Sequence, residues 1–183
     1  MTKKVIILHG WAGTPLGAWR GWLVKELRTL GFDVEAPYLT NPDNPKQEEW
    51  LKDIREINEK FDDNTVIVGH SLGAVAALRL LETFSENEKI NTVILVCGFT
   101  NKLGIDAIRD FFKTPFNWKK IKNKAGKFVI INSDNDPYMN MDEGKKLKEN
   151  LGGELIIEHN AGHMNEMSGY VKYPRVLEIV KMI

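Results

Sequence analysis

An open, doubly wound α/β sheet of about six parallel strands with helices on both faces is the fold class this sequence predicts. Short β-rich runs recur along the chain at Val5 to Leu8, Asp33 to Ala36, Thr65 to Val68, Thr92 to Val96, Phe128 to Ile131 and Leu155 to Ile157. Stretches of helical periodicity separate them, the alternation of a parallel sheet with crossover helices. Several of the runs are continuously apolar instead of alternating, as strands covered on both faces must be. Only six units are visible, which fits an open sheet better than a barrel.

The helices follow from caps and spacing. Trp19 to Leu30 reads as the first, with Gly31 in the position where a left-handed residue ends a helix. Trp19 and Trp22 anchor it to the core. Gln47 to Phe61 is an amphipathic second helix, held by Trp50, Leu51 and Ile54. Ser71 to Phe84, Tyr138 to Leu151 and Tyr170 to Met182 complete the set. Gly98 to Lys127 breaks the rhythm, being long for a strand-to-strand connection and rich in aromatics. It is either a small lid within residues 99–127 or a crossover helix over Ile105 to Phe112 with an extended loop, and the two can coexist.

At 183 residues and 43% hydrophobic content the chain is expected to form one domain over residues 1–183. Lysine plus arginine and aspartate plus glutamate each number 25, so the formal charge is zero. No long block of one sign suggests nucleic acid or a membrane surface as a partner. The lysines at 119, 120, 122, 124 and 127 read as a solvated face. The apolar run after Lys3 and Lys4 is too short for a signal-peptide core or a membrane span. With one cysteine, Cys97, no internal disulfide forms, and a cytoplasmic location is expected. Cys97 itself reads as a core residue.

The chemistry begins at Gly69-His70-Ser71-Leu72-Gly73. Gly-x-Ser-x-Gly alone is weak, but here a β-branched strand precedes it and an Ala/Leu-rich helix follows it. A strand that turns this sharply into a helix strains the serine backbone and aims its hydroxyl outward, and small neighbours let the chain come close. Ser71 is therefore the candidate nucleophile. Its hydroxyl needs a base within hydrogen-bond reach and a group to orient that base. Loops at strand C-termini converge on one sheet edge, which selects among four histidines. His163, in Ala161-Gly162-His163-Met164, is the expected base, whereas His70 adjoins the serine and should point elsewhere. The orienting acid comes from Asn132-Ser133-Asp134-Asn135-Asp136-Pro137. Asp136 is chosen, as the N-cap of a helix whose first residue is Pro137, with Asp134 in competition.

An acyl-transfer site also needs donors for an oxyanion. The backbone N–H of Leu72, at a helix N-terminus, and that of Trp11, in the loop His9-Gly10-Trp11-Ala12-Gly13, are assigned to it. That loop lacks both the dinucleotide-binding glycine pattern and the phosphate-binding lysine, which excludes a nucleotide cradle.

These residues together resemble an α/β-hydrolase over nearly the whole length: an apolar strand into His9-Gly10-Trp11, the elbow at Ser71, an acid after the next-to-last strand and Gly162-His163 near the end. More narrowly, the chain is similar to the small serine hydrolases grouped with retinoblastoma-binding protein 9. The Val-Ile-Ile-Leu-His-Gly start, the Val-Gly-His-Ser-Leu-Gly elbow and Pro115-Phe116-Asn117-Trp118 carry that resemblance. It implies a compact α/β-hydrolase sheet, hydrolysis through an acyl-enzyme without metal or cofactor, and a pocket for small esters or amides. The group's Leu-x-Cys-x-Glu motif is broken here, Leu95-Val96-Cys97-Gly98-Phe99 ending in Phe, so no protein partner is carried over. The expectation is thus a carboxylesterase-like serine hydrolase. A non-catalytic binding module on the same fold, or a short-peptide or aminoacyl-amide peptidase, are the alternatives. Phe99, Phe112, Phe116, Trp118 and Met164 are expected to line the substrate pocket.

Overall fold

The computed structural model describes residues 3–183 apart from residue 59. Six strands, β1 (Lys4–Leu8), β2 (Asp33–Glu35), β3 (Thr65–His70), β4 (Ile90–Val96), β5 (Ala125–Ser133) and β6 (Glu154–Glu158), form one sheet in the order β2-β1-β3-β4-β5-β6. Every pairing is parallel, in registers such as Val5↔Val66, Ile67↔Val93 and Ile94↔Val129. The central strand β3 is buried at every position, as its unbroken apolar run requires. Chain order runs outward from β1 to β2 and then returns across β1 to β3. Loops leaving β1 and β3 therefore diverge to opposite faces, and a crevice opens between them at the C-terminal edge.

The helices are α1 (Trp19–Thr29), α2 (Gln47–Glu56), α3 (Leu72–Thr83), α4 (Trp118–Asn123), α5 (Met141–Leu151) and α6 (Pro174–Lys181). α1 ends as expected, with Gly31 at φ 84°. Three boundaries move inward, each for a local reason. α2 stops at Glu56, short of the expected Phe61; residue 59 of that span lies outside the described residues. Phe61 instead packs against Phe84 at 4.9 Å, with the Arg55 guanidinium 5.0 Å from both rings. α5 begins at Met141 instead of Tyr138, capped by Asn140, whose side chain accepts from Asp142 N at 3.0 Å. Asp136 is therefore not a helix cap; its Oδ1 accepts from Tyr138 N at 2.9 Å in an Asx turn. α6 begins at Pro174 instead of Tyr170, because the residue before a proline is held out of the helical region and Tyr173 sits at φ −140°, ψ 80°.

Residues 98–127 contain a 3-10 segment at Asp106–Phe112 and then α4. Arg79, buried on α3, pins this stretch down. Its Nε donates to Phe111 O at 2.9 Å, its Nη2 to Thr114 O at 2.6 Å, and its guanidinium lies 3.8 Å from the Phe116 ring centroid. At the other end Glu143, buried on α5, accepts from Thr100 N at 2.6 Å and Asn101 Nδ2 at 2.8 Å.

Candidate active site

Ser71 stands between the last residue of β3 and the first of α3 with φ 56° and ψ −121°, a region that non-glycine residues avoid. The turn is possible because its neighbours lack side chains. A Cβ on Gly69 would lie 2.5 Å from Gly73 O, and one on Gly73 would lie 2.4 Å from Leu8 O. Ser71 N donates to Val96 O at 2.8 Å, tying the elbow to β4. The first loop is pressed against it, since a Cβ on Gly10 would stand 2.9 Å from Ser71 Cβ. Trp11 of that loop is fastened by its indole Nε1, which donates to Asp43 O at 2.9 Å. The Leu72 N–H opens α3, so it belongs to the first helical turn, whose donors have no acceptor within the helix.

The loops after β5 and β6 are laced together. Ala161 N donates to Ser133 Oγ at 3.1 Å, Gly162 N to Asn135 Oδ1 at 2.8 Å and Asn160 N to Asp134 Oδ1 at 2.8 Å. Gly162 has φ 55°, a left-handed conformation that suits glycine. The lacing brings His163 Nδ1 to 2.7 Å from Asp136 Oδ2, with the Asp136 side chain fully buried. Asp134 serves a different histidine, His159, at 2.6 Å on the exposed side of the loop. Two carboxylates two residues apart are thus sorted by depth, one to each histidine.

Behind the site His70 turns away from the serine, as expected, and meets His163 instead. Its Nε2 lies 2.9 Å from His163 O, which can only accept, so Nε2 carries the proton. Nδ1 is then the acceptor facing Arg20 Nη1 at 3.5 Å. Burial, and then the nearby charges of His163 and Arg20, push the His70 pKa well below that of an ordinary histidine, so the ring is neutral. His9 is also held neutral, mainly by burial: its Nε2 accepts from Leu39 N at 3.0 Å and its Nδ1 donates to Gly10 O at 2.9 Å. Cys97 is buried at φ 50°, and its Sγ is 3.4 Å from His163 O. Its Sγ lies within 4.8 Å of an Asp136 carboxylate oxygen and a His163 ring nitrogen, so this core residue borders the pair. Burial, and then the Asp136 charge, push its thiol well above the ordinary cysteine range.

Ser71, Leu72, Trp11 and His163 share one cleft of about 440 Å³ at the C-terminal edge of the sheet. Of the aromatics expected there, Phe99 lines it. Phe112, Phe116 and Trp118 do not: Phe116 stacks on Trp118 at 4.7 Å and touches Phe112 at 6.2 Å, a cluster held by Arg79 on α3. Met164 is also elsewhere, buried with its O accepting from Trp19 Nε1 at 2.8 Å. The apolar lining comes instead from Leu103, Ile105, Ile108, Tyr138 and Met139. Aromatic content misdirected the expectation, because rings that pair with each other need no ligand. The Asp136-Pro137 turn was the signal for Tyr138, whose ring meets His163 edge-on at 4.8 Å. Arg20 also lines the cleft, and no local sequence pattern marks it.

Among the described residues no helix is long and apolar enough to cross a membrane. Comparison with known proteins agrees with the architecture. A family model described as serine hydrolase matches residues 5–182. YdeN of Bacillus subtilis (strain 168) is 30% identical over 181 residues, covering 98% of this chain and 95% of that one. Serine hydrolase RBBP9 of Rattus norvegicus is 28% identical over 184 residues, covering 98% and 94%. The crystal structure of the B. subtilis ydeN product superposes with a TM-score of 0.94 at 29% identity, covering 99% of this chain and 98% of that one. A carboxylesterase structure from the ammonia-oxidizing thaumarchaeon Nitrososphaera gargenis shares the fold at a TM-score of 0.73 and 14% identity, covering 98% of this chain and 89% of that one. The elbow, the parallel sheet and these relatives lead to one conclusion: this chain belongs to the serine hydrolase family, on an α/β-hydrolase fold.

Proposed function

We propose that the chain hydrolyses small carboxylic esters or amides through an acyl-enzyme, with Ser71 as nucleophile, His163 as base and Asp136 as the acid that orients it. The observation that carries this reading is the 2.7 Å contact of His163 Nδ1 with the buried Asp136 carboxylate, in the cleft that the strained Ser71 enters. Asp136 holds the proton on Nδ1 and leaves Nε2 as the basic nitrogen. In the first half-reaction the Ser71 Oγ–carbonyl carbon bond forms as the Oγ proton passes to Nε2. The bond to the leaving group then breaks, and Nε2 returns the proton to that group. In the second, water attacks the acyl-serine by the same proton path and the carboxylic acid departs. Oxyanion charge in both tetrahedral intermediates falls to the Leu72 and Trp11 amides. Those donors are backbone dipoles already fixed in place, so they need no reorganisation as the charge develops. The apolar side of the cleft suits a short alkyl or aryl portion of the substrate.

The test is labelling of wild type and Ser71→Ala with a fluorophosphonate probe, read by intact mass, followed by turnover of short-chain para-nitrophenyl esters and amides. Labelling and turnover confined to wild type support the reading. A folded wild type that neither labels nor turns over any ester or amide sinks it, and turnover of aminoacyl amides in preference to simple esters moves it to a peptidase.

A further inference from the structure

The cleft has two unlike sides. Phe99, Leu103, Ile105, Ile108 and Met139 make one of them apolar, while the first turn of α1 places Arg20 on the other. Arg20 is only 5% exposed, and its contacts are neutral: Nε and Nη2 both donate to Thr14 O, at 3.2 and 3.0 Å, and Nη1 faces His70 Nδ1 at 3.5 Å. These use three of the guanidinium's N–H groups and leave one on each of Nη1 and Nη2. Among the described residues no carboxylate oxygen lies within 4.0 Å of it. Arg79, the other deeply buried arginine, has Glu82 at 2.8 Å.

A buried cation without a counter-ion is costly, because the protein interior replaces its hydration poorly. The guanidinium responds as expected, its pKa pushed down to about 10, mainly by burial. Among the described residues Glu166, on the rim, is the one carboxylate acting on it. That side chain is on an exposed residue, and its Oε1 is occupied by Ala18 N at 2.8 Å. Gly17 leaves the guanidinium room on that side: a Cβ there would stand 3.0 Å from Nη2 and 2.9 Å from Thr14 Oγ1.

We infer that Arg20 is a carboxylate-binding subsite, and that the preferred substrates are esters or amides bearing a free carboxylate in addition to the scissile bond. This rests on the hydrolase reading above. A single guanidinium, with no lysine among the lining residues, matches a planar monoanion better than a phosphate dianion. The apolar side takes the uncharged remainder of the molecule.

Two matched pairs of esters test this and show which half of the substrate carries the charge. The mono-para-nitrophenyl ester of glutaric acid is compared with its neutral primary amide, and para-butyryloxybenzoate with para-butyryloxybenzamide. The expected result is a kcat/KM ratio favouring the anionic member of at least one pair by about tenfold to a hundredfold, the range for hydrogen bonds to a charged group. The gain should be mainly in KM. Arg20→Gln should bring that ratio to about one and Arg20→Lys should retain part of it. Each ratio is taken within one protein, so a general loss caused by disturbing His70 divides out. Should Arg20→Gln not fold, competitive inhibition of wild type by glutarate and benzoate, against their neutral amides, gives the same comparison. Equal or better turnover of the neutral members overturns the subsite while leaving the hydrolase intact. So does an unchanged ratio in Arg20→Gln, or a preference for amine-bearing esters, which Glu166 would favour. Absence of all turnover together with absence of fluorophosphonate labelling removes the hydrolase reading and this inference with it.

Discussion

The buried ring of His70 donates from Nε2 to the main-chain oxygen of His163 at 2.9 Å, so the residue beside the nucleophile supports the loop of the expected base. The two rings lie 5.0 Å apart. One segment thus links both ends of the site: the elbow sets Ser71 by backbone strain, and its preceding histidine fixes where the last loop can sit.

Removing that donor should cost positioning more than binding. His70→Phe leaves the His163 carbonyl without its strongest partner, a loss of about 1–3 kcal/mol for a buried acceptor. We expect kcat to fall by about tenfold to a hundredfold with a smaller change in KM. His70→Gln, which can donate from a similar place, should recover much of the loss. Equal defects in the two variants would show that bulk, not the hydrogen bond, matters.

The neutral burial of His70 and His9 also makes stability depend on pH. Both have folded pKa values below the ordinary histidine value, so as pH falls through about 6.5 the unfolded chain takes up protons first. Stability is therefore full above that pH and declines below it, by at most about 1.4 kcal/mol per pH unit for each histidine. The lowered carboxylates Asp134, Glu88 and Glu143 act in a separate window, losing their contribution only as pH falls below about 4. Urea midpoints at about pH 7.5 and about pH 5.5 should show a loss in wild type and a smaller one in His70→Gln. A flat wild-type profile would mean that the rings are charged or solvated.

The two neighbouring carboxylates should separate cleanly by activity. Asp136→Asn removes the partner of His163 Nδ1 and should lower kcat by about 10⁴-fold. Asp134→Asn touches only the exposed His159 and one backbone amide, and should stay within about tenfold of wild type. Reversed magnitudes would transfer the acid role to Asp134.

Strain at Ser71 should be visible in melting temperature. The serine's backbone conformation costs about 1–3 kcal/mol, part of which glycine recovers. Ser71→Gly should therefore melt higher than Ser71→Ala, while both lose fluorophosphonate labelling and about 10⁶-fold in turnover. Identical melting curves would place the strain elsewhere.

The Cys97 thiol should be inert in the folded protein, since it is fully buried and its pKa is raised. Ellman's reagent should register no thiol under native conditions and one per chain after denaturation. Rapid native reaction would show that the wall behind Asp136 and His163 opens.

Much of the fold was legible because local and global preferences agree in the core. The β3 run and the Ala/Leu-rich α3 read the same way in isolation as in the structure, and all six strands lie where their apolar runs begin or within three residues of it. The misplaced boundaries lie where side chains compete with helical backbone: Asn140 displaces Pro137 as the start of α5, and Pro174 holds back α6. Of the site, the elbow was readable because it is one contiguous turn with a steric signature. The pocket was not. Phe112, Phe116 and Trp118 form a cluster by Arg79 that reaches the cleft only through Phe99, on which Phe112 stacks at 5.8 Å, and the rest of the apolar lining is drawn from separate segments of the chain.

By itself the sequence determined the order of the six strands and of α1, α2, α3, α5 and α6, though not α4, and it placed a strained serine between strand and helix. These are matters of neighbours along the chain, where hydrophobic periodicity and turn sterics act directly. Tertiary structure alone decided that Asp136 faces His163 while Asp134 faces His159, that His70 supports His163, and that Arg20 reaches the cleft with no carboxylate oxygen of the described residues within 4.0 Å. Those relations join residues up to 93 positions apart, and burial within the folded molecule, which no local pattern encodes, sets their charge states.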